Sequence, residues 1–196
     1  MSLIIKGSDN EVVLVSEGVH LAVCVGIFEL GTQHSPIFDR DLKKVLIMWE
    51  VPDEIIKIED EEKPLVISKI YTASLNQQAN LRHDLESWRG RVFTDDEIAK
   101  GVDLRVFLGK GCQIQVIHQP NKAGDRTYAN ISGIMSLPKG VKPPEPKNKL
   151  IYFEIENEEI PEGTPEWIRK MIMNSKEFQL RKGIVEQEND YPPVDF

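Results

Sequence analysis

The 196-residue chain has only two cysteines and no apolar run long enough to cross a membrane. A membrane-spanning helix needs about 20 apolar residues in a row, so we expect no membrane contact and a cytoplasmic location. Cys24 and Cys112 each lie in an apolar, strand-like stretch, and neither has a nearby cysteine, histidine or aspartate at metal-ligand spacing. The sequence therefore predicts no disulfide framework and no metal site.

Residue patterns typical of catalysis are also scarce. The four histidines show no pairing at metal or triad spacing, and Gly109-Lys-Gly111 is too short for a phosphate-binding P-loop. The acidic residues 59–62 suit the solvated tip of a hairpin better than a divalent-ion site. The sequence predicts that the protein is not an enzyme and carries no cofactor.

Positive charge is scarce at both ends of the chain and concentrated in the middle. Residues 63–149 contain 14 Lys and Arg against 8 Asp and Glu, a net of +6, although the whole chain has a net charge of -8. Residues 1–62 have a net of -8, and residues 150–196 have a net of -6. This distribution favours a central body that binds a polyanion and an acidic tail that binds a protein.

Five segments have the composition of β-strands. Residues 18–30 are an apolar run whose Gly26 suits a curved strand with a bulge better than a helix. Residues 43–50 become extended after a polar loop and stop at Pro52, and residues 64–72 follow the acidic hairpin tip. Residues 112–118 alternate polar and apolar side chains, and residues 128–135 return after a hairpin loop.

A helical insert separates the third predicted strand from the fourth. Apolar residues at helical spacing precede Gly90, namely Leu75, Ala79, Leu81, Leu85 and Trp88. Thr94 and Glu97 have the spacing of a capping box, which predicts a second, short helix ending near Lys100.

The order of three strands, a helical insert and two strands is that of the OB-fold, a five-stranded Greek-key barrel. We predict a mainly β protein with this barrel and a C-terminal helix over residues 164–174, although a mixed α+β sheet of another topology would show the same local patterns. Four prolines in residues 138–146 predict an extended connector. The predicted domains are residues 1–149 for the barrel, 150–182 for a strand and helix extension, and 183–196 for an acidic tail.

An OB barrel binds oligonucleotides across its second and third strands and between two of its loops. Flat rings stack on bases there, and cations neutralise phosphates. The predicted contact residues are Phe38, Arg40, Lys43 and Lys44 in the first loop region, Trp49, Lys69 and Tyr71 on strands two and three, and Lys122, Arg126 and Tyr128 in the last hairpin. Since aromatic residues in strands are more often packing residues, the site requires that these side chains converge on one face.

Three arginines surround the apolar seam of the predicted helix and are candidates for a phosphate path. They are Arg82, Arg89 and Arg91. The alternative is that Arg82 pairs with Glu86 four residues later and that the other two offset the helix dipole. The sequence leaves both interpretations open.

Several short motifs resemble those of a known family. They are Tyr71-Thr-Ala-Ser-Leu75, Asn80-Leu-Arg82, Leu85-Glu-Ser-Trp-Arg-Gly90, Tyr128-Ala-Asn-Ile131 and Leu137-Pro-Lys-Gly140. Over about residues 18–180 the chain resembles small phage and prophage proteins of replication modules. The resemblance implies binding of single-stranded DNA or another role in replication. The motifs consist largely of helix and hairpin residues, so they identify the family better than its activity.

The C-terminal residues resemble the acidic tip of bacterial single-stranded DNA-binding proteins, which docks replication and repair partners. The matching residues are Asp190, Pro192, Pro193, Asp195 and Phe196. Acidic groups there would meet a basic rim while the phenyl ring enters an apolar pocket. Tyr191 and Val194 depart from the pattern, in which further acidic residues are usual.

These observations predict a non-sequence-specific single-stranded DNA-binding protein of phage replication or recombination. Its expected partners are single-stranded DNA and, through the tail, replication or recombination proteins. The alternative is an OB-type adaptor of a phage replisome that contacts protein alone. The sequence leaves the oligomeric state open, a homo-oligomer included.

Overall fold

The sheet is built around β1, Gly18–Ser35, which pairs with three other strands. The computed structural model describes residues 13–36, 39–58, 61–156 and 159–183. The first part of β1 pairs antiparallel with β4, Gly111–Pro120, and the rest pairs antiparallel with β2, Arg40–Ile58. The β1–β2 register shifts between Cys24 and Gly26, which confirms the predicted irregularity at that glycine.

The remaining strands extend the sheet on both sides of β1. They are β3, Glu61–Thr72, β5, Thr127–Met135, and β6, Ile151–Phe153. The hydrogen-bonded order is β3-β2-β1-β4-β5, and β6 runs parallel to β1 beside residues 26–28. β3 and β5 also approach each other, with Cα atoms within 8 Å. The predicted mainly β architecture is confirmed.

The second strand is longer than its sequence pattern indicates. Pro52 was expected to end it, but β2 continues to Ile58 because the β2–β3 register shifts between Val51 and Ile55. A bulge of this kind accommodates a residue that has no backbone N–H.

The helices lie between β3 and β4 and at the C-terminal end of the described chain. They are α1, Asn80–Arg89, α2, Asp95–Lys100, a 3-10 helix, Leu104–Phe107, α3, Glu166–Met173, and α4, Lys176–Arg181. The capping box of α2 is confirmed, because Thr94 accepts from the Glu97 backbone N–H and the Glu97 carboxylate accepts from that of Thr94. α1 ends where predicted, at Gly90, which adopts the left-handed conformation that glycine favours. The C-terminal helix predicted over residues 164–174 is confirmed as α3, and α4 is a further short helix that the sequence pattern did not predict.

Two separate apolar cores lie on the two faces of β1 and β2. The inner core contains Trp49, Trp88 and Phe107, together with the side chains of β3, β4 and β5 that point the same way. The outer core contains Phe28 and Leu46 from the sheet, and it is covered by residues of β6, α3 and α4, namely Phe153, Ile155, Ile168, Ile172 and Phe178. This double coverage explains the continuous apolar run of β1, since a strand buried on both faces needs no polar alternation.

A buried carboxylate fastens the proline-containing connector that leads from β5 to β6. Glu50 on β2 has no exposed surface. Its carboxylate accepts hydrogen bonds from the backbone N–H of Lys147 at 2.9 Å and of Asn148 at 2.7 Å, and from the Asn148 side chain at 2.8 Å. The connector is therefore held against the sheet by directional contacts.

Candidate nucleic-acid interface

A cleft of about 470 Å³ lies where β2, β3 and the loop leading into α1 meet. Three cations predicted to contact DNA, Arg40, Lys44 and Lys69, line this cleft together. Its other polar lining residues are Tyr71, Thr72, Ser74, Asn76, Gln78 and Asn80. We call this space the basic cleft, and its cations and hydrogen-bonding groups suit an anionic, polar ligand.

Neighbouring polar groups hold two of these cations in place. The Lys44 ammonium donates to the Thr72 hydroxyl at 2.9 Å. Lys69 donates to the Asp84 carboxylate of α1 at 2.7 Å, and the Tyr71 hydroxyl donates to the same oxygen at 2.8 Å. Because the negative charge of Asp84 offsets that of Lys69, the net charge of the cleft is less than the +3 of its three cations.

The stacking role predicted for Trp49 and Tyr71 is wrong for the protein as folded. Trp49 is 0 % exposed, and its ring packs against Trp88 with centroids 5.6 Å apart. Tyr71 is 3 % exposed, and burial together with the adjacent Asp84 raises the pKa of its phenol above the usual range. Both side chains point toward the inner core, so neither offers a ring face to a base.

Lys43 is the member of the predicted first-loop group that lies outside the basic cleft. Its ammonium pairs with Glu29 at 2.7 Å in a neighbouring cavity of about 420 Å³. The hydrogen bond to Glu29 raises the pKa of Lys43 above its ordinary value. Phe38, from the same predicted group, lies outside the described residues.

The arginines of the helical insert form ion pairs, as the alternative interpretation expected for Arg82. Arg82 pairs with Glu86 at 2.9 Å. Arg89 and Arg91 both reach Glu97 of α2, at 2.7 Å and 3.1 Å. These pairs order the surface of α1 and α2, and they leave Arg91 as the most exposed of the three side chains.

The predicted hairpin group lies apart from the basic cleft. Lys122, Arg126 and Tyr128 are exposed at the β4–β5 hairpin. Gly18, at the start of β1, pairs with Val116 of β4, and β4 continues from there to the hairpin. Arg40 pairs with Ser35, at the end of β1. The two cation groups therefore sit at opposite ends of β1, and the expected single face of cations and rings is replaced by one cleft and one separate hairpin.

The sequence reasoning missed the polar lining of the basic cleft. The side chains between β3 and α1 supply hydroxyl and amide groups to it, and Asp84 holds two of its members. The polar run of residues 74–80 between a strand and a helix was the available signal. The tail residues Asp190, Pro192, Pro193, Asp195 and Phe196 lie outside the described residues.

The two cysteines lie in the interior of the described part of the chain. Cys24 and Cys112 are buried and unpaired, and burial raises the pKa of the Cys24 thiol to about 12. Over the described ranges, no three His, Cys, Asp or Glu side chains are grouped so as to hold a metal ion. No helix in those ranges has the length and apolar character that a bilayer crossing requires.

Comparison with protein-family models found no match, and comparison with curated proteins found none either.

Proposed function

We propose that the protein binds single-stranded DNA, without strong sequence preference, through the basic cleft. The observation that carries this proposal is the convergence of Arg40, Lys44 and Lys69 on one open cleft beside hydroxyl and amide groups. Cations neutralise backbone phosphates and release counterions, whichever bases are present. The polar groups can donate to phosphate and sugar oxygens, which position a strand without reading its sequence.

The strand order supports an OB-type barrel as the scaffold of this site. An OB barrel has one helix between its third and fourth strands and binds oligonucleotides near strands two and three. Here α1 follows β3, and the basic cleft lies on β2 and β3. The approach of β3 to β5 at the two ends of the hydrogen-bonded path supports closure of the barrel. Action in phage replication or recombination is part of the proposal and rests on the family resemblance.

The experiment is a fluorescence-anisotropy titration with oligothymidylate at several salt concentrations. The wild-type complex should weaken linearly in log affinity against log salt. The double variant Arg40→Glu/Lys44→Glu should lower the steepness of that line by about 1.4, which is about 0.7 for each lost phosphate contact on a single strand. Its matched control is Lys170→Glu/Lys182→Glu, which makes the same charge change on and after the C-terminal helices.

The control should bind as the wild type does after correction for net charge. An equal loss in both double variants would show that only overall charge matters and would contradict a site in the cleft. Absence of any complex at low salt would remove the proposal altogether.

A second candidate, a replisome adaptor that contacts protein alone, is favoured by one observation on the outer face. A cavity of about 450 Å³ there is lined by Met48, Val66 and Trp167, and Trp167 is 46 % exposed. Exposed aromatic and methionine side chains are enriched at protein interfaces. The same titration separates the candidates, because an adaptor forms no salt-sensitive complex with oligothymidylate.

A further inference from the structure

A second cleft lies at the opposite end of α1 from the basic cleft. It has a volume of about 560 Å³ and is formed by the end of α1, α2, the 3-10 helix and the start of β4. Trp88, Phe93 and Phe107 form its apolar floor, each no more than 6 % exposed, and Val106 at its side is 59 % exposed. We call it the helical cleft. Its apolar floor is buried, and its apolar side at Val106 is exposed to solvent.

The rim of the helical cleft carries an excess of positive charge. Arg89, Arg91, Lys100 and Lys110 line it together with two acidic residues, Glu97 and Asp103.

The acidic groups of this rim are occupied by partners of their own. Glu97 binds both arginines and the backbone N–H of Thr94. Asp103 accepts from the backbone N–H of Arg105 at 2.9 Å. These contacts leave both carboxylates charged, so four cations against two anions give the rim a net positive charge, and Lys100 and Lys110 are exposed members of it.

Helix α1 connects the two clefts. The basic cleft includes Ala79 and Asn80 at the start of the helix, and the helical cleft includes Trp88 and Arg89 at its end. Ten residues at 1.5 Å each make the helix about 15 Å long. The helical cleft therefore lies one helix length from the basic cleft.

The geometry points to the helical cleft as a nucleobase site for the same single strand whose phosphates lie in the basic cleft. This inference rests on the proposed function and adds a base contact to it. The apolar side wall at Val106 offers a surface for one unstacked base, and Lys100 and Lys110 are placed for its flanking phosphates. Such contacts are tolerant of sequence because every base has a flat apolar face.

The test compares a short and a long oligothymidylate, of about 4 and about 16 nucleotides, which span the usual range of site sizes for one such domain. Val106→Asp places a carboxylate in the helical cleft without emptying a core. Val92→Asp is its matched control, because Val92 is 70 % exposed but does not line the cleft. Lys100→Glu/Lys110→Glu tests the rim. Thermal unfolding of each variant confirms that it is folded.

For the long oligonucleotide, Val106→Asp and the rim variant should each lose about tenfold or more in affinity, because each places a carboxylate where the cleft meets the base and its phosphates. Val92→Asp should bind as the wild type does, and the short oligonucleotide should bind all three proteins nearly equally. Wild-type affinity of both cleft variants for the long oligonucleotide overturns the inference, while continued weakening by Arg40→Glu/Lys44→Glu leaves the proposed function standing.

A peptide of residues 186–196 is titrated in parallel, because an acidic segment with a terminal phenylalanine has complementary charge and an apolar end. Loss of peptide binding in Val106→Asp with unchanged DNA binding assigns the helical cleft to a peptide and overturns the nucleobase site. Loss of DNA binding with no measurable peptide binding supports it.

Discussion

The inner and outer cores share the strands β1 and β2 but are held together in different ways. The inner core is closed by packing of large rings, with Trp88 lying 5.6 Å from Trp49 and 5.0 Å from Phe107 between ring centroids. The outer core adds carboxylate contacts to backbone N–H groups at its edges. These come from Glu50 to the connector, from Glu29 to Ile155 at 3.0 Å, and from Glu177 to Thr32 at 2.7 Å.

This difference shows how a short C-terminal extension is attached to the sheet formed by β1 to β5. Residues 150–183 are too few to form an independent core, because chains below about 40 residues rarely fold alone. Hydrogen bonds accepted by buried or half-buried carboxylates give the extension a defined position that apolar contact alone does not specify. Both proposed DNA clefts lie beside the inner core. The variants below therefore measure separately how the inner core and the C-terminal extension contribute to the free energy of unfolding.

The largest effect is expected from Trp49→Ala in the inner core. Removal of a fully buried ring costs about 3–5 kcal/mol in the free energy of unfolding. Trp167→Ala removes the same side chain from α3, where it is 46 % exposed, and it should cost less than about 1 kcal/mol. Urea unfolding followed by circular dichroism measures both. Equal losses would contradict the full burial of Trp49 and the partial exposure of Trp167.

A milder change at Trp49 tests whether this residue takes part in binding. Trp49→Phe retains a buried ring, and its folded form should bind oligothymidylate as the wild type does, because the ring has no exposed face. A clear loss of affinity in a stably folded Trp49→Phe protein would return this residue to the binding site.

A smaller effect is expected from Glu50→Gln, which tests the attachment of the connector. The amide keeps one acceptor oxygen but loses the charge and one set of hydrogen bonds to residues 147 and 148. Hydrogen bonds to a charged group are worth about 1.5–3 kcal/mol each, so a loss in that range is expected. Glu145→Gln, at an exposed position of the same connector, is the control. No difference between the two in urea unfolding would contradict the anchoring role.

Most of the strands and helices could be predicted because their signals are local. The alternation in β4 correctly predicts burial of Cys112, Ile114 and Val116. The capping box of α2 and the ion pair of Arg82 with Glu86 depend only on spacings of three and four residues.

The orientation of side chains in β2 and β3 could not be predicted in the same way. Both faces of β2 carry buried residues, because the C-terminal extension covers the second face. Alternation therefore does not distinguish an exposed aromatic residue from a buried one, and Trp49 was assigned to the wrong environment. The basic cleft brings together residues 40, 44, 69 and 74–80, and their proximity depends on long-range pairing that single-sequence patterns do not report.

Gly31→Ala tests the close packing of β1 against the C-terminal extension. A Cβ atom at Gly31 would lie 2.5 Å from the Cβ of Ser175, a fully buried residue between α3 and α4. Gly124→Ala is the control, because both glycines have positive φ but a Cβ at Gly124 meets nothing within 4 Å. The excess cost at Gly31 should be about 1–3 kcal/mol, the usual range for overpacking. Hydrogen exchange should accelerate in residues 166–181 more than in β4, and equal protection loss in both regions would contradict a local effect.

The smallest effect is expected from acid titration of Glu97, which lies on the rim of the helical cleft. Hydrogen bonds from Arg89 and from the backbone N–H of Thr94 lower the pKa of its carboxyl to about 2. A carboxyl with a lowered pKa in the folded state adds stability above its ordinary pKa, and this contribution disappears as the pH falls toward 2. Glu97→Gln should therefore show a shallower decline of melting temperature between pH 4.5 and pH 2 than the wild type. Glu162→Gln removes the same charge from an exposed position and should keep the wild-type slope. Parallel curves for all three proteins would mean that the cluster of Arg89, Arg91 and Glu97 does not stabilise the junction of α1 and α2.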